Sequence, residues 1–179
     1  MATPVFPPGI TVRGNVKLAF VTTLADPTAP KLTEINAGSS VDISCMLATD
    51  GWKPALEQNK GNVPRRVCSK NDREVLGAEK YTFPNLHYSN NPQGEDGSPG
   101  VKASETLVPG TTGYVVERLG LDSIEDDFAI DDYVNVWAIT LGAQLDDYDL
   151  TDEFGEFWIT QGVVAAGTGA PLRRVQVVA

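Results

Sequence analysis

The stretch Val108–Gly120, reading Val-Pro-Gly-Thr-Thr-Gly-Tyr-Val-Val-Glu-Arg-Leu-Gly, is a turn that runs directly into a strand. Pro109 presets its own φ, and Gly110 accepts the positive φ that a tight turn requires. Beyond Gly113 the residues Tyr-Val-Val favour a pleated, half-buried surface. Upstream, Val101–Leu107 predicts one or two helical turns, which Pro109 and Gly110 stop. A helix stop followed at once by a strand fixes a corner at mid-chain. The remaining elements must pack on it.

Those elements are mostly short period-two runs. Ile10, Val12, Val16, Leu18 and Phe20 alternate with Thr11, Arg13, Asn15 and Lys17, which predicts a strand with one buried and one wet face. Asp26–Pro30 reads as a loop, followed by a helical turn at Lys31–Asn36. Val41, Ile43, Cys45 and Leu47 form a second alternating run. Tyr81, Phe83, Leu86 and Tyr88 suggest a strand interrupted at Pro84, hence an edge or a bulge, and Asn90–Gly100 is loop by composition. Tyr133–Leu141 is apolar at nearly every position, the pattern of a strand covered on both faces. Phe157–Val164 and Val175–Val178 read as a closing pair. Seven or eight strands, one or two short helices, and no repeat or βαβ alternation predict a mainly antiparallel β-sandwich or barrel with long loops. Residues 1–179 are read as one domain, with a proline-rich arm at its start because residues 2–9 hold three prolines and a glycine.

Charge is distributed unevenly. Seven of the 14 basic residues fall between Trp52 and Lys80, where the apolar signal thins: Lys53, Lys60, Arg65, Arg66, Lys70, Arg73 and Lys80. A polar excursion of this length from a compact domain is either functional or disordered. Between Leu119 and Leu172 there is no lysine or arginine, yet 12 of the 24 acidic residues lie there. They come in two runs, one with Asp126, Asp127, Asp131 and Asp132, the other with Asp146, Asp147, Asp149, Asp152 and Glu153. The net charge of −10 disfavours adhesion to nucleic acid or anionic membrane. No apolar run approaches the roughly 20 residues of a membrane-spanning helix, and the start of the chain lacks the pattern of a signal peptide. Cys45 and Cys68 are expected to be reduced and buried.

Chemistry-bearing motifs are sparse. His87, the single histidine, lies in a predicted strand, where a structural role is the expectation; no local motif pairs it with Cys68 as base and nucleophile. Two distant cysteines and one histidine do not make a zinc site. Gly97–Gly100 lacks the lysine and the strand-to-helix context of a phosphate loop. The run Asp146–Glu153 offers hard oxygens suited to calcium but not helix-loop-helix spacing, so a solvated loop is the simpler reading. Trp137 and Trp158 are expected in the core. Trp52 opens the polar excursion and is the candidate interface anchor. No catalytic residue, metal or cofactor is predicted.

Several segments together resemble the tail tube (major tail) proteins of long-tailed bacteriophages. They are Val12–Val21, Pro30–Gly38, Arg65–Ser69 and Leu107–Tyr114, in an order that continues to the closing Val175–Ala179. The resemblance implies a β-sandwich with a flanking helix. It also implies a structural, non-enzymatic virion protein that self-assembles into hexameric rings stacked as a hollow tube, through which double-stranded DNA passes without specific binding. The partners it implies are further copies of the chain, a tape-measure protein, a tail terminator and baseplate proteins; the location is the virion tail, assembled in the host cytoplasm without membrane insertion.

Sheet edges closed on neighbours by head-to-tail rotation would give such rings. On this reading residues 52–80 reach an adjacent subunit, with Trp52, Arg65, Arg66 and Arg73 as contact candidates. The acidic residues either line the lumen and repel DNA, or form a ring end that meets the basic excursion of the next ring. The alternatives are a tail terminator or head decoration protein, and a calcium- or carbohydrate-binding β-sandwich module.

Overall fold

A computed structural model of the chain describes residues 9–68, 70–98, 100–151 and 155–179. The expected arm at residues 1–9 therefore lies almost entirely outside the described residues. The fold is mainly β, with 42% strand and 5% helix, and takes the form of a curled antiparallel sheet. In chain order the elements are β1 (Val16–Val21), α1 (Leu32–Ile35), β2 (Val41–Asp42), β3 (Ala55–Val63), β4 (Arg73–Thr82), β5 (Leu86–Ser89), α2 (Lys102–Thr106), β6 (Thr112–Leu119), β7 (Tyr133–Asp147), β8 (Trp158–Ala165) and β9 (Leu172–Gln176). The main sheet runs β2-β1-β6-β7-β8-β5, with β9 also on β7, while β3 and β4 form a separate two-stranded sheet.

The sheet curls far enough for its two edges to meet. The chain leaving β2 reaches β5, where the Ala48 amide donates to the His87 carbonyl at 2.8 Å and the Ser89 amide to the Met46 carbonyl at 2.9 Å. Inside the curl, Leu18, Phe20, Ile43, Leu86, Tyr88, Leu107, Val115, Ile139, Leu141 and Ile159 form one core. A smaller core covers the outer face, where Ala19, Val21, Val116, Val134 and Val136 meet Leu24, Ile35, Phe128 and Val177.

The mid-chain corner is as expected from its residues. Gly110 has φ +81°. Its amide donates to the Leu141 carbonyl at 2.8 Å, and the Leu141 amide donates to Thr111 at 2.9 Å, which ties the turn to β7. The C-terminus of α2 is satisfied from within: the Leu107 carbonyl accepts from Gln161 Nε2 at 2.7 Å and from Gln144 Nε2 at 3.0 Å. Gln161 is fully buried, and its Oε1 accepts from the Tyr88 hydroxyl at 3.2 Å. Burial, opposed by the hydrogen bond from Gln144 and assisted by the charge of Asp146, pushes the Tyr88 phenol up to about 12.

Four expectations are corrected. First, β1 begins at Val16, because Gly14 takes φ +79° and the Asn15 amide bonds back to Val12 at 3.0 Å. Ile10 and Val12 are exposed on that turn, whereas the supposed wet face at Lys17 is buried beneath the 122–132 loop. Second, the run Val41–Leu47 is a strand only to Asp42. Asp42 Oδ1 accepts from the Ser44 amide at 2.9 Å, and the Met46 amide bonds Ile43 at 3.1 Å, so the chain turns and Cys45 faces solvent. Cys68 is exposed as well, and both cysteines are free thiols. Third, β8 and β9 do not pair with each other. β8 pairs with residues 139–147 of β7, and β9 with residues 133–136; a 15-residue strand, roughly 50 Å long, has room for both on one edge. Fourth, Trp158 is partly exposed and packs against His87, 4.9 Å between ring centroids, rather than in the core.

Candidate assembly surfaces

The polar excursion is a long β-hairpin arm. Pairing runs from Ala55↔Thr82 to Val63↔Arg73, with a bulge between Gln58 and Lys60. Nine residues of β3 give a stem roughly 30 Å long. Among its strand residues only Gln58, Tyr81 and Thr82 are even partly covered, and Leu56, Val75 and Leu76 lie open to solvent. A two-stranded hairpin with nothing on either face is marginal in water. It persists here because its base is clamped.

The clamp is aromatic. Trp137 of β7 stands edge-on to Trp52 (6.1 Å), Phe83 (5.6 Å) and Tyr81 (6.4 Å), measured between ring centroids. Glu117 of β6 lies beneath the cluster and accepts from Trp52 Nε1 at 3.3 Å, Trp137 Nε1 at 3.2 Å and Asn135 Nδ2 at 2.9 Å. Trp52, the candidate anchor, thus packs against its own barrel and directs the arm.

The arm's charge collects at its tip. Arg65 pairs with Asp72 at 2.9 Å, and Arg66 and Arg73 are exposed beside it. Three of the four contact candidates therefore sit together at the tip, about a stem's length from the fourth.

The acidic residues do not form one patch. Asp131 and Asp132 immediately precede β7 and Asp146 and Asp147 end it, so the two runs lie at opposite ends of this 15-residue strand. At the first end the carboxylates are largely engaged within the subunit. Asp127 Oδ1 meets Lys17 Nζ at 2.8 Å, Asp132 Oδ2 meets Arg118 Nη1 at 3.0 Å, and Asp131 accepts from Gln176 Nε2 at 2.8 Å. Asp126 contributes its carbonyl to Arg118 Nη2 at 2.6 Å and to Lys17 at 3.3 Å, while the residue is exposed. The hydrogen bond and charge of Lys17 hold Asp127 below the usual carboxylate range. Asp122 is lowered by the amides of Glu125 and Ile124 that it caps.

At the other end, Asp146 is exposed, Asp147 lies 3.9 Å from His87 Nε2, and Asp149 caps its own turn through Thr151, whose hydroxyl and amide lower its pKa. Asp152 and Glu153 lie outside the described residues. Among the described residues, no group of three or more His, Cys, Asp or Glu is arranged to hold a metal ion, and no helix is long and apolar enough to cross a membrane.

Sequence reasoning missed Lys17, Arg118 and Glu117. Each charged side chain sits inside an apolar strand run, Lys17 before Leu-Ala-Phe-Val and Glu117-Arg118 after Val-Val. That placement is the trace a buried charge leaves, but only the fold supplies its partners.

A family model described as Phage tail tube protein matches residues 3–179. No curated protein matches the chain significantly.

Proposed function

The chain belongs to the phage tail tube protein family, structural rather than enzymatic proteins of the virion tail, and on that premise we propose that it assembles as stacked, hexameric rings enclosing the DNA channel. The observation that carries the reading is the β3–β4 arm. Among the described residues, nothing covers its aliphatic side chains Leu56, Val75 and Leu76 or its unpaired strand edges, and a neighbouring copy would provide that cover. A head-to-tail contact of this kind closes into rings or propagates as a filament, and rings with unlike ends can stack.

The lumen fits the same proposal. The run that ends β7, where Asp146, Asp147 and Asp149 are exposed, would face the channel, so phosphate meets repulsion and DNA slides without being gripped. The two ends of the stack are where the tape-measure, terminator and baseplate proteins would attach, and assembly would occur in the host cytoplasm.

Negative-stain electron microscopy and sedimentation of two proteins test this. One is the full chain; in the other, residues 57–80 are replaced by a two-residue Asn-Gly turn. The expected outcome is hollow tubes for the first and folded monomers, with the barrel's circular dichroism retained, for the second. Tubes that form equally well without the arm would refute its role.

A further inference from the structure

Two exposed surfaces have complementary chemistry. The first is the arm tip. Residues 64–73 carry Arg65, Arg66, Lys70 and Arg73 against Asp72 alone, a net charge of +3 (four basic minus one acidic). Between these cations Val67 is 110% exposed, as open as a side chain can be. The chain as a whole is at −10, so the tip is a basic end of an acidic protein.

The second surface is a groove of about 310 Å³ where the turn before β1 meets the end of β6, with apolar walls formed by Ile10, Val12, Val16 and Leu119. Ile10, Val12 and Leu119 are 68%, 76% and 54% exposed, so the groove is open and apolar. Its rim is acidic. The amide and hydroxyl of Ser123 both donate to the Gly14 carbonyl, at 2.9 and 3.1 Å, which fastens the 122–127 loop to the groove's edge. Within that loop Asp122 caps the local turn and Asp127 is tied to Lys17, whereas Glu125 and Asp126 are exposed.

We propose that the arm tip docks in this groove on a second copy of the chain, with Val67 between Ile10, Val12 and Leu119 and the tip arginines against Glu125 and Asp126. The inference rests on the assembly reading above and names its contact surface. The occupant is another copy because the tip is fully exposed in its own subunit and so does not fill its own groove. A nucleic acid would satisfy the arginines but would leave the valine and the apolar groove unmatched. The cleft at the far end of β7 is a poorer receptor: among the described residues His87, Asp147, Tyr148, Asp149, Glu156 and Trp158 line it, with no aliphatic wall for Val67. Tip and groove are different surfaces, so the contact is heterologous and propagates instead of closing as a dimer. Charge steers the encounter and sets its salt dependence, and burial of the apolar residues holds it.

The native Cys68, exposed next to Val67, makes the contact directly testable. In the full chain carrying V12C and C45S, mild oxidation after assembly should give a ladder of disulfide-linked multimers on non-reducing gels. Adding C68S should abolish the ladder. Separately, R66E and E125R should each raise the protein concentration needed for assembly at least tenfold, and the two combined should restore most of the loss. Tubes of the V12C/C45S protein that give no linkage between Cys68 and the position-12 thiol would overturn the docking alone. Wild-type chain that forms no multimer at any concentration or salt would overturn the docking and the assembly reading together.

Discussion

Lys17 on β1 and Arg118 on β6 are direct cross-strand partners, and both are buried, at 4% and 1% exposure. Like charges placed opposite each other in a sheet repel, and an unpaired buried cation is more costly still. The 122–132 loop resolves both problems. It offers Lys17 the Asp127 carboxylate at 2.8 Å and the carbonyls of Ser123 and Asp126 at 3.3 Å, and Asp42 lies 3.5 Å away. Arg118 receives the Asp132 carboxylate and the carbonyls of Asp122, Asp126 and Asp127. Phe128 seals the arrangement, with its ring centroid 5.9 Å from Lys17 Nζ and 5.5 Å from the Arg118 guanidinium. Part of the acidity at this end of β7 is therefore a lid over two cations of the same subunit.

Removing Arg118 should be far more damaging than removing an exposed arginine. Arg118→Met leaves the Asp132 carboxylate and three carbonyls without their donor, and breaking such a buried pair costs about 3–5 kcal/mol. Denaturant unfolding of the monomeric arm-deleted chain would measure it. A loss under about 1 kcal/mol would show that water replaces the guanidinium.

The lid should respond to pH at both extremes. Asp127 and Asp122 are lowered, so their contribution is complete above the unfolded carboxylate value of about 3.9 and is lost as pH falls through the lower folded values. For Lys17, burial acts to lower the pKa, but the Asp127 hydrogen bond and the charges of Asp42 and Asp127 outweigh it and leave the pKa raised. Its contribution is complete below about 10.4 and disappears as pH rises through the raised folded value. Hydrogen exchange across residues 122–132, corrected for intrinsic rates, should show protection falling below about pH 4. D122N/D127N should flatten that acid response, and an unchanged response would refute the assignment.

Glu117 holds the base of the arm. Glu117→Ala leaves two indole N–H groups and an amide without their acceptor, a loss of roughly 1–3 kcal/mol. The same change should red-shift tryptophan emission, because Trp52 and Trp137 both donate to this carboxylate. Glu117→Gln, which keeps one acceptor oxygen, should fall between. Equal stability of all three proteins would show that ring packing alone fixes the arm.

Gly113 permits the approach of β6 to β1. A Cβ there would lie 2.6 Å from Phe20 Cζ, 2.8 Å from Phe20 Cε2 and 2.9 Å from the Val21 carbonyl. Because Phe20 is completely buried, its ring can move aside only by disturbing the inner core. Gly113→Ala should therefore destabilise by roughly 1–3 kcal/mol, the range for overpacking, while Gly162→Ala, where nothing lies within 4 Å, serves as the control. Thermal unfolding of the two variants side by side decides the matter.

The sequence by itself determined the all-β class, the Pro109–Gly110 corner with its short helix upstream, the doubly covered β7 and the position of the polar excursion. Each rests on local chemistry: period-two patterning, a fixed φ at proline, the conformational freedom of glycine, and too few apolar residues to build a core. Tertiary structure decided what local pattern cannot encode. Residues 10–15 alternate as a strand does but wrap a turn at Gly14, and Asp42–Ser44 ends a run whose apolar residues continue to Leu47. A side-chain oxygen or a positive φ there outweighs the hydrophobic period. Lys17 reads as solvent-facing because its partners lie more than 100 residues away, at Ser123, Asp126 and Asp127. The two acidic runs, separated by 13 residues in sequence, stand far apart in space because the strand between them is extended, roughly 50 Å long. Burial of a charge is set by the groups that meet it, and only the folded chain brings them together.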